Sequence, residues 1–276
     1  MNIGVMADSF RKENCALGLA AAKAVGADGM QIYADEKIKS CDKPALKEMR
    51  RMAEDDGLVF SAVCGDFGCD MYYNGDRALI DAEKRIMESA KILGADVVTT
   101  HIGVVTEERD DRYESILSVC RELSAFAESA GGKFAVETGP EKARLLKRFL
   151  DEAGNGISVN FDPANLIMCA RDDVLEAVRI LGDKIVHTHA KAGVNLKPFD
   201  TRALYAPGYY GLTPIGKNYP EYFCETPLGK GGVDWTAYIN ALKAVGYDGF
   251  LTVERECGDD PAKDIGDAVV FLRSII

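Results

Sequence analysis

Glu137 in FAVETGP, Asp162 in SVNFDPAN, His189 in IVHTHAK and Glu254 in LTVERE each close an apolar run, where a predicted strand hands over to a loop. If those strands are neighbours in a parallel sheet or barrel, the four side chains converge. Two glutamates, an aspartate and an imidazole held out of water repel and desolvate one another unless a divalent cation neutralises them. Three hard carboxylates and one imidazole suit Mn²⁺ first, with Mg²⁺ or Co²⁺ as alternatives, better than Zn²⁺. Such an ion chelates a carbonyl and its neighbouring hydroxyl. Glu137 and Glu254, on opposite sides, are then placed to remove and return a proton at the carbon beside the carbonyl. The chemistry expected is isomerisation or epimerisation of a keto sugar through an enediolate. With a leaving hydroxyl at the β-carbon, the same route eliminates water instead.

Each residue also has a plain structural reading. Asp162 precedes a proline and Glu137 a Thr-Gly-Pro turn, so either could cap a helix or support the site from behind. His189 could be a hydrogen-bonded core histidine, and Glu254 could pair with Arg255. Their joint position at strand ends of matching parity favours the shared centre.

The elements that must carry these groups repeat. AAKAVGADGMQIY, SAKILGADVVTTH and ALKAVGYDGFLTVE each read as a helix tail, a glycine suited to a left-handed cap, a short turn and a strand. Further strands are expected at 2–7, 58–64, 133–137, 156–162 and 184–191. Helices are expected near 14–25, 43–56, 76–93, 112–130, 141–153, 171–181, 234–245 and 261–275. Strict alternation of eight strands with eight helices implies an α/β fold of the (β/α)8 TIM-barrel kind, as one domain over 1–276. In Ile157–Asp162 the apolar residues take one face and Ser158, Asn160 and Asp162 the other, so the polar set faces the barrel interior. An open doubly wound sheet is the alternative, but no GxGxxG follows the first strand. About forty residues at 193–232, rich in Tyr, Pro and Gly, form a long insertion after strand seven. It is read equally as a lid over the barrel mouth and as a dimer contact.

With 276 residues, 47% hydrophobic, and a net charge of −11, the chain has the core of a globular protein and too acidic a surface for nucleic acid or an anionic membrane. The partner expected is a small-molecule sugar. Eight cysteines without a CxxC pair read as free thiols in a reducing, cytoplasmic setting. MNIGVMADSF reads as a first strand, and no apolar run approaches the ~18 residues of a membrane span.

The order of ETGP, NFDPAN, HTHAK, PLGKGGVDW and GYDGFLTVERE resembles the xylose isomerase-like barrel superfamily of sugar phosphate isomerases/epimerases, inosose dehydratase and a class of apurinic endonucleases. That resemblance spans nearly the whole chain. It implies Glu137, Asp162, His189 and Glu254 as metal ligands, Glu137 and Glu254 as the acid/base pair, and a deeper position for His187. It also places PLGKGGVDW near the substrate. Asn165 stands where ketose 3-epimerases tend to have His, and Ala192 replaces the acid of HAKDG, which brings the chain nearer to dehydratase-like members. Lys191 keeps the family lysine, read as a contact to a substrate oxyanion or as a surface side chain. The endonuclease branch holds three metals with many more histidines than His101, His187 and His189.

The remaining substrate-binding candidates are Asn165, His101 and Cys64. His101 ends strand four with inward parity, as a substrate contact or core histidine. Cys64 ends strand three and is read first as a small barrel-lining residue. Trp235 is expected to pack. Competing functions are a lyase (keto-inositol dehydration or C-glycoside cleavage, the latter with a small partner subunit) and a sugar-binding barrel without turnover. A homo-oligomer or a complex with a small partner subunit is the assembly considered.

Overall fold

The computed structural model describes residues 1–276. The eight expected strands form at β1 (Asn2–Met6), β2 (Gly29–Tyr33), β3 (Val59–Cys64), β4 (Val97–Thr100), β5 (Lys133–Glu137), β6 (Ile157–Phe161), β7 (Ile185–Ala190) and, after an intervening hairpin, β10 (Phe250–Val253). They close into a parallel barrel in the order β1-β10-β7-β6-β5-β4-β3-β2. The hairpin is β8 (Ala192–Asn195) paired antiparallel with β9 (Phe223–Thr226). It belongs to the 193–232 insertion. This (β/α)8 architecture puts the ends of all eight strands around one mouth.

Helices Cys15–Ala24, Lys43–Asp55, Arg77–Leu93, Asp111–Ala130, Ala143–Ala153, Val174–Leu181, Trp235–Ala244 and Pro261–Arg273 wrap the barrel. Seven start behind Asn14, Asp42, Asp76, Asp110, Asp173, Asp234 or Asp260, whose side chains accept backbone N–H groups of the first turn. Helix Ala143–Ala153 borrows its acceptor instead: Asp172 takes the Ala143 N–H at 2.8 Å. In the thrice-repeated helix-to-strand turn, Gly26, Gly94 and Gly246 have φ of 78°, 91° and 82°, a left-handed conformation that a side chain would strain.

Period two holds in β6. Phe161 packs outward on Tyr238, ring centroids 5.7 Å apart, while Asn160 turns inward to His187. Short helical turns at Glu36–Lys39, Asp70–Asn74, Arg202–Tyr205 and Pro207–Tyr210 were not expected, being too short to show a periodicity. No helix is long and apolar enough to cross a membrane.

One buried charge lies outside the mouth. Glu83, on helix Arg77–Leu93, is fully buried and neither carboxylate oxygen has a hydrogen-bond partner. Burial, and then the nearby negative charge of Asp66, push its pKa well above the ordinary carboxylate value. An acid whose folded pKa is raised binds more protons folded than unfolded, so its contribution to stability falls as pH rises from the unfolded pKa of about 4.3 towards the folded one. Glu83→Gln keeps the shape and cannot ionise. The expected result is a melting-temperature advantage for the variant that widens between pH 5 and 8, at up to about 1.4 kcal/mol per pH unit. Parallel melting curves across that range would mean that Glu83 is not held neutral.

Candidate functional site

Glu137 closes β5, Asp162 follows β6, His189 lies in β7 and Glu254 follows β10. All four are buried, and one donor atom from each lies within 4.8 Å of the others. His189 Nδ1 is the hub, 3.5 Å from Glu137 Oε2, 3.5 Å from Asp162 Oδ2 and 3.3 Å from Glu254 Oε2. Neither His189 Nδ1 nor Asp162 Oδ2 has a hydrogen-bond partner. Two orphaned buried polar atoms facing one space, with carboxylates around them, match the donor set of a cation site. The donor set fits a hard divalent cation.

The electrostatics agree with that fit. Burial disfavours charge on His189, but Glu254 and Glu137 outweigh it and hold the imidazole well above its ordinary pKa. Burial likewise opposes charge on Glu254, yet His189 and Lys191 keep it well below the usual carboxylate range. The cluster demands positive charge at Nδ1, which a metal would supply in place of the proton.

A second layer fixes the first. His189 Nε2 lies 3.1 Å from Gln31 Oε1, and Gln31 Nε2 donates to Thr99 Oγ1 at 3.0 Å. The oxygen of the amide is therefore turned to His189 Nε2, which also lies 3.2 Å from Asn160 Nδ2, so two amides hold the ring with Nδ1 towards the cluster. Asn160 donates to Glu137 Oε2 at 3.1 Å and accepts from His187 Nδ1 at 2.9 Å, and Thr252 donates to His187 Nε2 at 3.0 Å. His187 thus lies deeper, as expected; burial and then His189 hold it well below its ordinary pKa, so it is neutral. The pairing register shifts at Gln31 in β2 and at Asn160 in β6, which is how a strand re-aims a side chain.

Asp162 does both things proposed for it. Its Oδ1 caps a helical turn, accepting from Ala164 and Asn165 N–H at 2.8 and 2.9 Å, while Oδ2 faces the cluster. Glu254 does not pair with Arg255. Arg255 binds Asp264 at 2.9 Å and also Glu225, and Glu254 instead meets Lys191 Nζ at 3.0 Å. Lys191 is 4% exposed and also contacts Glu256, so it is no surface lysine.

Residues 19–275 match the xylose isomerase-like TIM barrel family. The chain belongs to that family. Among similar proteins, inosose isomerase of Bacillus licheniformis is 26% identical over 189 residues, 65% of this chain and 61% of that relative's own length. A xylose isomerase domain protein from Planctomyces limnophilus superposes with a TM-score of 0.78 at 22% identity, covering 99% of this chain and 96% of the other. A 3-keto-D-glucoside 4-epimerase from E. coli superposes with a TM-score of 0.73 at 18% identity, covering 99% of each chain.

In this xylose isomerase-like barrel a cavity of about 360 Å³ opens directly above the cluster. Glu137, Glu254, His101, Asn165 and Lys191 all line it, and Cys64 does not. Burial pushes the Cys64 thiol up, so it stays protonated. That corrects its assignment as a substrate contact. Asn165 donates to Glu137 Oε1 at 2.8 Å. His101 sits 3.3 Å from Asp66 and 3.9 Å from Glu137; burial opposes its charge, but Glu137 and Asp66 push its pKa up to about 9. Trp235 packs on Tyr238 and Phe271.

The PLGKGGVDW loop is displaced from its expected place. It does not line the cavity. It packs on β8, where Gly232 N–H donates to Gly193 O at 2.9 Å and a Cβ at Gly231 would stand 2.7 Å from Gly193 N. Side chains of the insertion lie over the mouth. Tyr209 stacks on Tyr73 at 4.2 Å and Arg112 donates to Tyr209 O at 2.9 Å, which ties it to the β3–β4 side. Leu204, Tyr205, Tyr219 and Phe223 then roof the cavity.

Proposed function

We propose that the protein is a divalent-metal-dependent sugar isomerase or epimerase that moves a proton at the carbon beside a carbonyl. The observation that carries this reading is the orphaned pair His189 Nδ1 and Asp162 Oδ2 between two glutamates, at the floor of a sugar-sized cavity. Glu137, Asp162, His189 and Glu254 would hold the ion, with Mn²⁺ the best match to three carboxylates and an imidazole. When bound, the ion supplies Lewis acidity towards the oxygens of a carbonyl and its neighbouring hydroxyl.

The chain's own groups do the rest. Glu254, kept ionised by Lys191 and His189, accepts a proton at a carboxylate oxygen. Glu137, held by Asn160 and Asn165, takes its proton from solvent and returns it to the carbon, while Glu254 releases the abstracted proton to solvent, which resets the pair. Two bases at one centre permit return to either face or to the neighbouring carbon, which is the difference between epimerisation and isomerisation. The roof of Leu204, Tyr205, Tyr219 and Phe223 excludes water from the carbanionic species.

Proton NMR in deuterium oxide, on ketoses, keto-inositols and 3-keto-glycosides with Mn²⁺ or with EDTA, tests this. Metal-dependent deuterium uptake beside the carbonyl is the expected result, and the product spectrum separates an epimer from an eliminated product. Equal uptake with EDTA would overturn the metal-dependent reading.

A further inference from the structure

A second cavity, of about 650 Å³, adjoins the first. It is bounded by the loops after β4, β5 and β6 and by the start of the insertion. Cys169 lines both cavities, but none of Glu137, Asp162, His189 and Glu254 lines this one. The proposed proton transfer does not use it. The phosphate site common to such barrels lies elsewhere, after strands seven and eight.

Its wall holds one buried acid, Glu141, 7% exposed. Oε2 accepts the Val105 N–H at 3.2 Å, the one hydrogen bond this side chain makes. Burial pushes its pKa up to about 8, so near neutral pH it presents a neutral acid with an O–H to donate. Four basic residues line the same cavity. Arg144 is paired with Glu176 and Arg202 with Asp200, both at 2.7 Å. Lys142 and Arg171 are in no ion pair. The remaining lining acids are engaged: Glu107 meets Arg148 at 3.1 Å, and Asp172 accepts the Ala143 and Asp173 N–H groups at 2.8 and 3.1 Å. Arg171 also holds φ at 51°, just past the π-helical turn Leu166–Ala170, a conformation that ordinarily favours glycine. Cations free to give charge-assisted hydrogen bonds are what recognise an oxyanion. A phosphate monoester carries nearly two negative charges near neutral pH, so it matches two free cations where a carboxylate needs one.

We infer that this cavity is a second binding site, for a small organic phosphate, with Lys142, Arg171 and Glu141 on the phosphate and Leu145, Ile180 and Phe199 against an apolar body. The site stands whether or not the protein moves a proton at its metal cluster. Calorimetric titration of the full-length, Mn²⁺-loaded protein tests it with phenyl phosphate, inorganic phosphate and phenylacetate. Phenyl phosphate is expected to bind saturably. Inorganic phosphate lacks the apolar body and phenylacetate the second charge, so each is expected to bind about tenfold more weakly. Lys142→Gln and Arg171→Gln are each expected to lose about tenfold on phenyl phosphate. Both side chains are exposed, so melting temperatures should match the parent; Lys142→Gln serves alone should Arg171→Gln fold poorly at its left-handed position. EDTA separates the two sites. Phenyl phosphate in the second cavity stays bound when the metal is stripped, whereas phenyl phosphate held by the metal is released and ignores both substitutions. Release by EDTA, unchanged affinity in both variants, phenylacetate binding as tightly as phenyl phosphate, or no saturable binding would each overturn the inference.

Discussion

Glu254→Gln is expected to abolish proton transfer, lowering deuterium exchange by about 10²–10⁴-fold, the range for loss of a general base, and to weaken the metal as well. The amide matches the carboxylate in shape but cannot accept the proton, and it removes one of three anionic donors within 4.8 Å. It also leaves Lys191, buried at 4% exposure, with Glu256 as its remaining carboxylate contact. Two readings separate the causes. Exchange rate at saturating Mn²⁺ reports the lost base, and calorimetric Mn²⁺ affinity reports the lost ligand. A variant with near-normal exchange would remove Glu254 from the chemistry. One that exchanges normally only at high Mn²⁺ would keep it as a ligand alone.

The barrel and the four strand-end groups were legible in the sequence because both depend on short-range rules. Alternation in SVNFDP assigns Asn160 and Asp162 to one face whatever surrounds them, and a strand that ends in an acid beside a turn points that acid at the mouth. What escaped depends on neighbours distant in sequence. Gln31 in GMQIY is one inward polar residue among several; only its contacts to Thr99 and His189, 68 and 158 residues away, give it a role. Lys191 stood ambiguous because it follows the last residue of β7 and its direction is set by β8, which begins at Ala192 and runs into the aperiodic insertion. The PLGKGGVDW loop was misplaced for a related reason. The resemblance puts it near the substrate, whereas the close approach its glycines make is to the backbone of Gly193.

Gln31→Leu carries the other large expected effect, a loss of about 10–100-fold in Mn²⁺ affinity with the fold retained, because partners behind a metal-ligating histidine typically contribute that much. The argument runs through one proton. Gln31 Nε2 is committed to Thr99, so Oε1 faces His189 Nε2 and favours a proton there, against the Asn160 amide nitrogen 3.2 Å away. The histidine is thereby kept from carrying its neutral-state proton on Nδ1, the atom 3.3–3.5 Å from all three carboxylates. Leucine is similar in volume and accepts nothing, so once the ion has displaced the Nδ1 proton the remaining Nε2–H loses this acceptor and the metal-binding tautomer loses its support. Melting of the metal-free variant checks that the barrel survives, and calorimetry with Mn²⁺ reads the affinity. Gln31→Glu is the control that a merely structural role would not satisfy. A carboxylate there still accepts from Nε2–H, and more strongly, so affinity should return while volume and hydrogen-bond count barely change. If Gln31→Leu binds Mn²⁺ as the parent does, the tautomer of His189 is fixed by something other than Gln31. If Gln31→Glu binds as poorly as Gln31→Leu, the amide acts by its shape or neutrality and not by the proton it receives.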